Sequence, residues 1–262
     1  MPYTSFFVPN MSMKSIQLPP QAVIAHRGAS HYAPENTLAA FRFAVEQGAD
    51  GIEFDVKLSA DGHPIIIHDA TVDRTTNGTG KVSELTLNEL RTLDAGSWFG
   101  KSYAGEPIPT LGEVLDTVGH DLILNIELTN YTTPRDALPE IVADTVEKHN
   151  MTERVFFTSF HPRTVSRIAK RLPNVPRGLL LLPTFAGKIS HFVFGKLLPL
   201  QTINPEFQLV SPGFVKKAHQ RERKVFPYTI NAKDDILSAL MAGVDGIITD
   251  DPILAQKVRN SL

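Results

Sequence analysis

Eight short β-rich runs, each followed by residues at helical spacing, recur along the chain near positions 22, 51, 122, 155, 178, 201, 225 and 246. The first, Ala22-Val23-Ile24-Ala25, leads into His26-Arg27-Gly28. Between Asn36 and Gln47 the apolar residues Leu38, Phe41 and Val45 follow a helical period, with Asn36 as the expected N-cap and Gly48 as the stop. Further strands are expected over Gly51–Leu58, Leu122–Leu128, Val155–Ser159, Gly178–Leu182, Gln201–Ile203, Val225–Ile230 and Gly246–Thr249. Thr110 and Glu113 form a capping box at the head of a helix that runs to Val118. Strands that alternate with helices bury themselves as parallel βαβ units. A ninth run, Pro64–Ile67, follows its predecessor after only Ala60-Asp61-Gly62-His63. That spacing is too short for a parallel crossover, so the pair must be an antiparallel hairpin. Eight βα units in a chain of 262 residues match a TIM-type (β/α)8 barrel.

The rhythm sets the expected boundaries. Residues 1–21 read as an N-terminal arm and 22–262 as a single barrel domain. From about 69 to 109 the βα pattern breaks into Thr, Gly, Ser and charged residues, with turn signals at Asn77-Gly78 and Thr79-Gly80, as in an inserted subdomain. The most apolar stretch, Leu179 to Leu200, carries Lys188, His191, Lys196, Pro183 and Pro199, which argues against a membrane span. It reads as a buried strand and a core helix, or alternatively as an apolar lid or interfacial patch. The 26 Lys and Arg residues against 28 Asp and Glu leave a net charge of −2, which gives no electrostatic case for nucleic acid. No cysteine is present, so any metal must be held by carboxylates or histidines. The absence of cysteine and of a basic, then apolar, leader suggests a cytoplasmic protein.

Barrel chemistry sits at the carboxyl ends of the strands. The first strand ends in His26 and Arg27. The second carries Glu53 and Asp55 on one face, because side chains alternate along a strand. Two carboxylates on an otherwise apolar inner face are costly unless a cation compensates them. Glu127, at the end of the strand near 122, can supply a third. Three carboxylates suit one hard divalent ion, Mg2+ or Ca2+. If the hairpin turn centres near Asp61, pairing places His68 opposite Phe54, beside Glu53 and Asp55. Two histidines can serve as general acid and base, and an arginine can clamp phosphate oxygens. The residues alone therefore suggest metal-assisted phosphoryl transfer or hydrolysis. Asp69 either holds the His68 tautomer or opens the following loop. The other seven histidines lack such partners and read as structural or exposed.

These same residues carry a family resemblance. Ala25-His26-Arg27-Gly28-Ala29 with Ala33-Pro34-Glu35-Asn36-Thr37 resembles the opening motif of the glycerophosphodiester phosphodiesterases. Gly51-Ile52-Glu53-Phe54-Asp55-Val56, Asp61-Gly62 and Ile67-His68-Asp69 are similar to the second block. Asp73-Arg74-Thr75-Thr76-Asn77-Gly78 resembles the start of the family's insertion, and Ile108-Pro109-Thr110-Leu111 its exit. Asn125-Ile126-Glu127, Ser159-Phe160, Tyr228-Thr229-Ile230-Asn231 and Gly243-Val244-Asp245-Gly246-Ile247-Ile248-Thr249-Asp250 complete the ordered set. The resemblance implies a barrel that hydrolyses small glycerophosphodiesters, such as those of choline or ethanolamine, to glycerol 3-phosphate and an alcohol. It implies Glu53, Asp55 and Glu127 as metal ligands, His26 and His68 as the acid–base pair, and Arg27, Glu35, Phe160 and Tyr228 as phosphate- and substrate-binding residues. It also implies the glycerol 2-hydroxyl as an internal nucleophile. Self-association into a homo-oligomer is left open.

The chain departs from the pattern at two places. A lysine is usual two residues after the third carboxylate, where this chain has Thr129. Arg27 then serves alone, or Lys57 or another side chain enters the site. Tyr228 stands where the family often has tryptophan, and its ring can still line a pocket. Alternatives are a lysophospholipase D-like enzyme that meets an acyl chain with its apolar 179–200 stretch, a non-catalytic phosphodiester-binding relative, and an unrelated barrel lyase with the same carboxylates.

Overall fold

The computed structural model describes residues 16–184 and 198–262. The second half of the apolar stretch expected to form a helix lies outside those residues. So does most of the expected N-terminal arm, although Ile16 is buried against Ile24, Ile123, Phe156, Phe226 and Ile248 inside the barrel.

Strands β1 (Ala22–His26), β2 (Gly51–Leu58), β4 (Ile123–Leu128), β5 (Val155–Ser159), β6 (Arg177–Leu181), β7 (Thr202–Pro205), β8 (Lys224–Val225) and β9 (Gly246–Thr249) pair in parallel in the order β8-β7-β6-β5-β4-β2-β1-β9. The ends meet through Asp245 N donating to Val225 O at 3.1 Å and Ile248 N to Pro227 O at 2.9 Å, which nearly closes an eight-stranded barrel. β3 (Pro64–Ile66) runs antiparallel to β2, with Val56 opposite Ile66 and Leu58 opposite Pro64. That register is the one expected for a turn centred near Asp61.

Helices α1 (Leu38–Glu46), α3 (Leu111–Val118), α4 (Leu138–Lys148), α5 (Pro162–Arg171), α6 (Pro212–His219), α7 (Lys233–Met241) and α8 (Pro252–Arg259) wrap the barrel. The capping box at Thr110 and Glu113 is present. Alternation along β2 sorts the chain's investments: Ile52 and Phe54 face the helices, while Glu53 and Asp55 face inward. Phe54 packs on Phe41 of α1 with ring centroids 5.6 Å apart, and both rings are fully buried. Each such burial contributes about 1.5–3 kcal/mol.

The N-cap of α1 is Thr37, whose hydroxyl accepts from Ala40 N at 3.2 Å, and not Asn36 as expected. Asn36 instead adopts a left-handed backbone, φ +58°, which asparagine tolerates better than most residues. Its side chain is engaged elsewhere, on Asp55.

Between β3 and α3 the chain forms 3₁₀ turns at Val82–Glu84 and Lys101–Tyr103 and a short helix α2 (Leu87–Leu90). Val72, Val82, Leu90, Ala95 and Ile108 form a small core of their own with Ile65 and Ile67 from the hairpin. This segment grows out of the carboxyl end of the barrel beside His68.

Candidate functional site

Parallel pairing sets the site's height. His26 lies opposite Glu53, and Asp55 opposite Glu127. The same pairing sets Asn125 opposite Glu53 and Thr158 opposite Glu127, and the Thr158 hydroxyl donates to Asn125 Oδ1 at 2.9 Å. At this level Glu53, Asp55 and Glu127 each offer a carboxylate oxygen within 4.8 Å of the other two. They are 2, 2 and 8% exposed, so water does little to screen their repulsion. Burial, then repulsion from Asp55 and Glu127, pushes the Glu53 carboxyl well above the usual range. Burial and Asp55 do the same to Glu127. The buried Glu53 Oε1 has no hydrogen-bond partner among the described residues. An orphaned oxygen in a cluster of three like charges is what a divalent cation would satisfy, and the all-oxygen donor set suits a hard ion.

Neighbouring groups hold these carboxylates in place. Asn36 Nδ2 donates to Asp55 Oδ2 at 3.0 Å. The Tyr131 hydroxyl donates to Glu127 Oε1. Arg27 N donates to Glu53 O at 2.8 Å, fastening the turn after β1 to β2.

Arg27 has a left-handed backbone, φ +55°, followed by Gly28 at φ +81°. A Cβ on Gly28 would lie 2.7 Å from Ala40 C, so only glycine lets the turn pass α1 this closely. The strained turn carries the Arg27 guanidinium over the triad: Nε lies 3.3 Å from Asp55 Oδ2, and Nη1 donates to Glu35 Oε1 at 2.7 Å. Glu35 also takes Arg74 in a bidentate grip, from Nη1 at 2.7 Å and Nη2 at 2.8 Å. Burial alone would raise the Glu35 carboxyl, but the Arg74 and Arg27 guanidiniums hold it below the usual carboxylate range.

Each histidine is gripped at Nδ1 by an aspartate. His26 Nδ1 lies 2.6 Å from Asp250 Oδ1, and its Nε2 lies 3.9 Å from Glu53 Oε2. Asp250 also accepts from Ser30 Oγ at 3.1 Å and Asn231 Nδ2 at 2.6 Å. Burial would raise its carboxyl, and these hydrogen bonds, His26 first, keep it low. His68 Nδ1 lies 2.6 Å from Asp69 Oδ1. A hydrogen bond from Arg74 Nε at 2.6 Å, with a further one from His68, outweighs burial and lowers the Asp69 carboxyl to about 2. An ionised carboxylate only accepts, so both imidazoles carry their proton on Nδ1 and keep Nε2 for chemistry. His68 follows Ile67, whose N donates to Asp55 O at 3.1 Å, so the hairpin delivers it beside the triad.

Phe160 and Tyr228 meet edge to face with centroids 5.9 Å apart, and Phe160 meets Tyr131 in the same way at 5.4 Å. The three rings form a row at the mouth that begins at the residue bonded to Glu127. The Tyr228 hydroxyl donates to Leu181 O at 2.9 Å. Lys57, two residues beyond Asp55, donates from Nζ to Thr129 O at 3.1 Å and to Thr129 Oγ1 at 2.9 Å.

All nine residues expected from the sequence lie at this end of the barrel. The carboxylate triad, His26, Arg27 and Glu35 form one connected group. His68 joins it through Asp69, Arg74 and Glu35. Sequence reasoning missed Asp250, Asn231, Asn36, Tyr131 and Arg74 as partners. Asp250 could have been found by the strand-end rule, since it follows Thr249 at the end of β9. Among the described residues no helix is long and apolar enough to cross a membrane.

The sequence model of the Glycerophosphoryl diester phosphodiesterase family matches residues 26–254. A glycerophosphodiester phosphodiesterase of Caldanaerobacter subterraneus is 42% identical over 88% of this chain and 94% of its own length. One from Bacillus altitudinis is 34% identical over 92% of this chain and 98% of its own. The structure of an Oleispira antarctica phosphodiesterase in complex with the product sn-glycerol-3-phosphate superposes with a TM-score of 0.84, at 31% identity, over 92% of this chain and 97% of that one.

Proposed function

The chain belongs to the glycerophosphoryl diester phosphodiesterase family and is a glycerophosphodiester phosphodiesterase; from that premise we propose that it hydrolyses small glycerophosphodiesters, such as glycerophosphocholine or glycerophosphoethanolamine, to sn-glycerol 3-phosphate and the free alcohol, with one divalent cation and two histidines. The observation that carries the metal and its place is the buried triad with its orphaned Glu53 oxygen. Glu53, Asp55 and Glu127 would hold Mg2+ or Ca2+, which when bound supplies positive charge at the phosphoryl oxygens and acidifies a nearby hydroxyl.

The chain's own groups do the rest. Arg27 meets the phosphate with the guanidinium edge that Glu35 and Asp55 leave open. Of His26 and His68, one takes the proton of the glycerol 2-hydroxyl as its oxygen attacks phosphorus, and the other gives a proton to the alcohol oxygen as its bond to phosphorus breaks. The tethered 2-hydroxyl reacts at high effective concentration. Water then opens the cyclic phosphate at the 2-oxygen, with the proton roles reversed, and leaves glycerol 3-phosphate. Asp250 and Asp69 keep both Nε2 atoms available throughout. Phe160 and Tyr228 wall the substrate on the side away from the hairpin.

The test is turnover of glycerophosphocholine with Mg2+ or Ca2+. Activity is expected with the ion, to be abolished by a chelator and lowered at least 10²-fold in Glu53→Gln, in line with loss of a group the reaction depends on. Full activity of Glu53→Gln in chelator would overturn the reading. Preference for lysophosphatidylcholine over the water-soluble diester would replace the substrate class with a lysolipid.

A further inference from the structure

Lys57 extends the inward face of β2 that already bears Glu53 and Asp55. The pairing of Val56 with Leu128 makes Thr129 its cross-strand neighbour, and that is where its ammonium is held. Its Nζ also lies 5.8 Å from the centre of the Tyr131 ring, whose hydroxyl donates to Glu127. The other two cations of the mouth have paired charges: Arg27 with Glu35 and Asp55, and Arg74 with Glu35 and Asp69. Lys57 differs. Among the described residues it makes no ion pair, and both of its hydrogen bonds go to neutral oxygens of Thr129. An ammonium has three N–H donors, so one remains without a hydrogen-bond acceptor among the described residues, on the side of the Tyr131 ring.

Lys57 also borders a cavity of about 310 Å3 between the end of β2, the segment around Ala70 and Val82, and the loop from Thr129 to Asp136. An ammonium without a paired carboxylate, on the strand face that bears Asp55 and beside the tyrosine bonded to Glu127, is placed to meet an anion bound at the triad.

We propose that Lys57 is a phosphate-binding residue: its ammonium, seated on Thr129, takes a phosphoryl oxygen of the bound diester and of the phosphate monoester product. It is then the second cation at the phosphate beside Arg27, supplied from β2 across the ladder from Thr129. The inference rests on the phosphodiesterase reading of the site and adds one residue to it. A monoester dianion carries one more charge than the diester, so the contact strengthens toward product.

The test is calorimetric binding of sn-glycerol 3-phosphate in saturating Mg2+, with Mg2+ affinity measured separately, for the full chain and for Lys57→Gln and Lys57→Arg. Lys57→Gln is expected to weaken sn-glycerol 3-phosphate binding about 10-fold while Mg2+ binds as well or more tightly, because a like charge has gone. Lys57→Arg is expected to stay within about threefold of the parent. Opposite signs for the two ligands exclude a general loss of structure. The proposal is overturned if Lys57→Gln leaves phosphate binding unchanged, if it weakens phosphate and Mg2+ together, or if Lys57→Arg loses as much as Lys57→Gln. A parent chain that neither binds sn-glycerol 3-phosphate nor cleaves glycerophosphocholine overturns the phosphodiesterase reading as well, whereas a normal parent with an unaffected Lys57→Gln overturns the role of Lys57 alone.

Discussion

His26 and His68 use the same device with aspartates from opposite parts of the chain. Asp69 is the next residue after His68, but Asp250 is 224 residues from His26 and reaches it because β9 closes on β1. Each aspartate fixes the ring's tautomer and aim, so its loss leaves the histidine present but misdirected. Asp250→Asn and Asp69→Asn are each expected to lower kcat about 10- to 100-fold, less than the roughly 10²–10⁴-fold for removing an acid–base group outright. Circular dichroism should be unchanged. Steady-state kinetics beside His26→Ala and His68→Ala check the ranking, and a wild-type kcat in Asp250→Asn would show that the bond is not used. Strand alternation, strand-end position and the hairpin register are enough to bring His26, Arg27, Glu53, Asp55, Glu127 and His68 to one end of the barrel, whereas Glu35, Phe160 and Tyr228 are legible only through the family resemblance. Their partners are not legible in the sequence. By sequence Asn36 is a helix cap, since asparagine caps helices in general, while in the fold its amide serves Asp55. Tyr131 and Arg74 sit in loops, where no period says which way a side chain turns.

Among the elements, the eight strands and the hairpin register followed from apolar runs and spacing, because a parallel crossover cannot be made in four residues. The site's floor shows how little room the barrel interior leaves. Gly178 on β6 faces Thr202 and Asn204 on β7, whose side chains bond each other at 2.9 Å. A Cβ at Gly178 would fall 1.9 Å from Thr202 Oγ1 and 2.7 Å from Asn204 Oδ1. Gly178→Ala therefore forces buried strand residues apart, at a cost of about 1–3 kcal/mol. Thermal unfolding should move down by at least about 2 °C, with activity kept in the folded fraction. An unchanged Tm would mean that the two strands can separate at no cost. The need for glycine here was invisible in the sequence, where Gly178 reads only as the start of a strand.

For the molecule as a whole, the site is a store of repulsion that a cation would release. The Glu53 and Glu127 carboxyls are raised above their unfolded values, so the metal-free folded chain binds more protons there than the unfolded chain does. Stability contributed at these groups is thus full below about pH 4, the unfolded carboxyl range, and is lost as pH rises through their raised folded values. In chelator, melting temperature should fall as pH rises through that window. Mg2+ or Ca2+ should reverse the fall by binding only the folded state. Glu53→Gln removes one of the repelling charges and should raise the metal-free Tm at neutral pH, by about 2–4 °C for each kcal/mol relieved. A chelated parent whose pH–Tm curve matches that of Glu53→Gln would contradict this.

In the proposed reaction the same ion and the same carboxylates would underlie catalysis, so the most direct measurement follows the products. Phosphorus NMR of glycerophosphocholine incubated with the protein and Mg2+ or Ca2+ distinguishes the two ester bonds at phosphorus. Conversion to sn-glycerol 3-phosphate, with choline released, is the expected result, lost in chelator and in Glu53→Gln. Phosphocholine as product, or turnover that survives both chelator and Glu53→Gln, would contradict the assignment of this site to metal-dependent glycerophosphodiester hydrolysis.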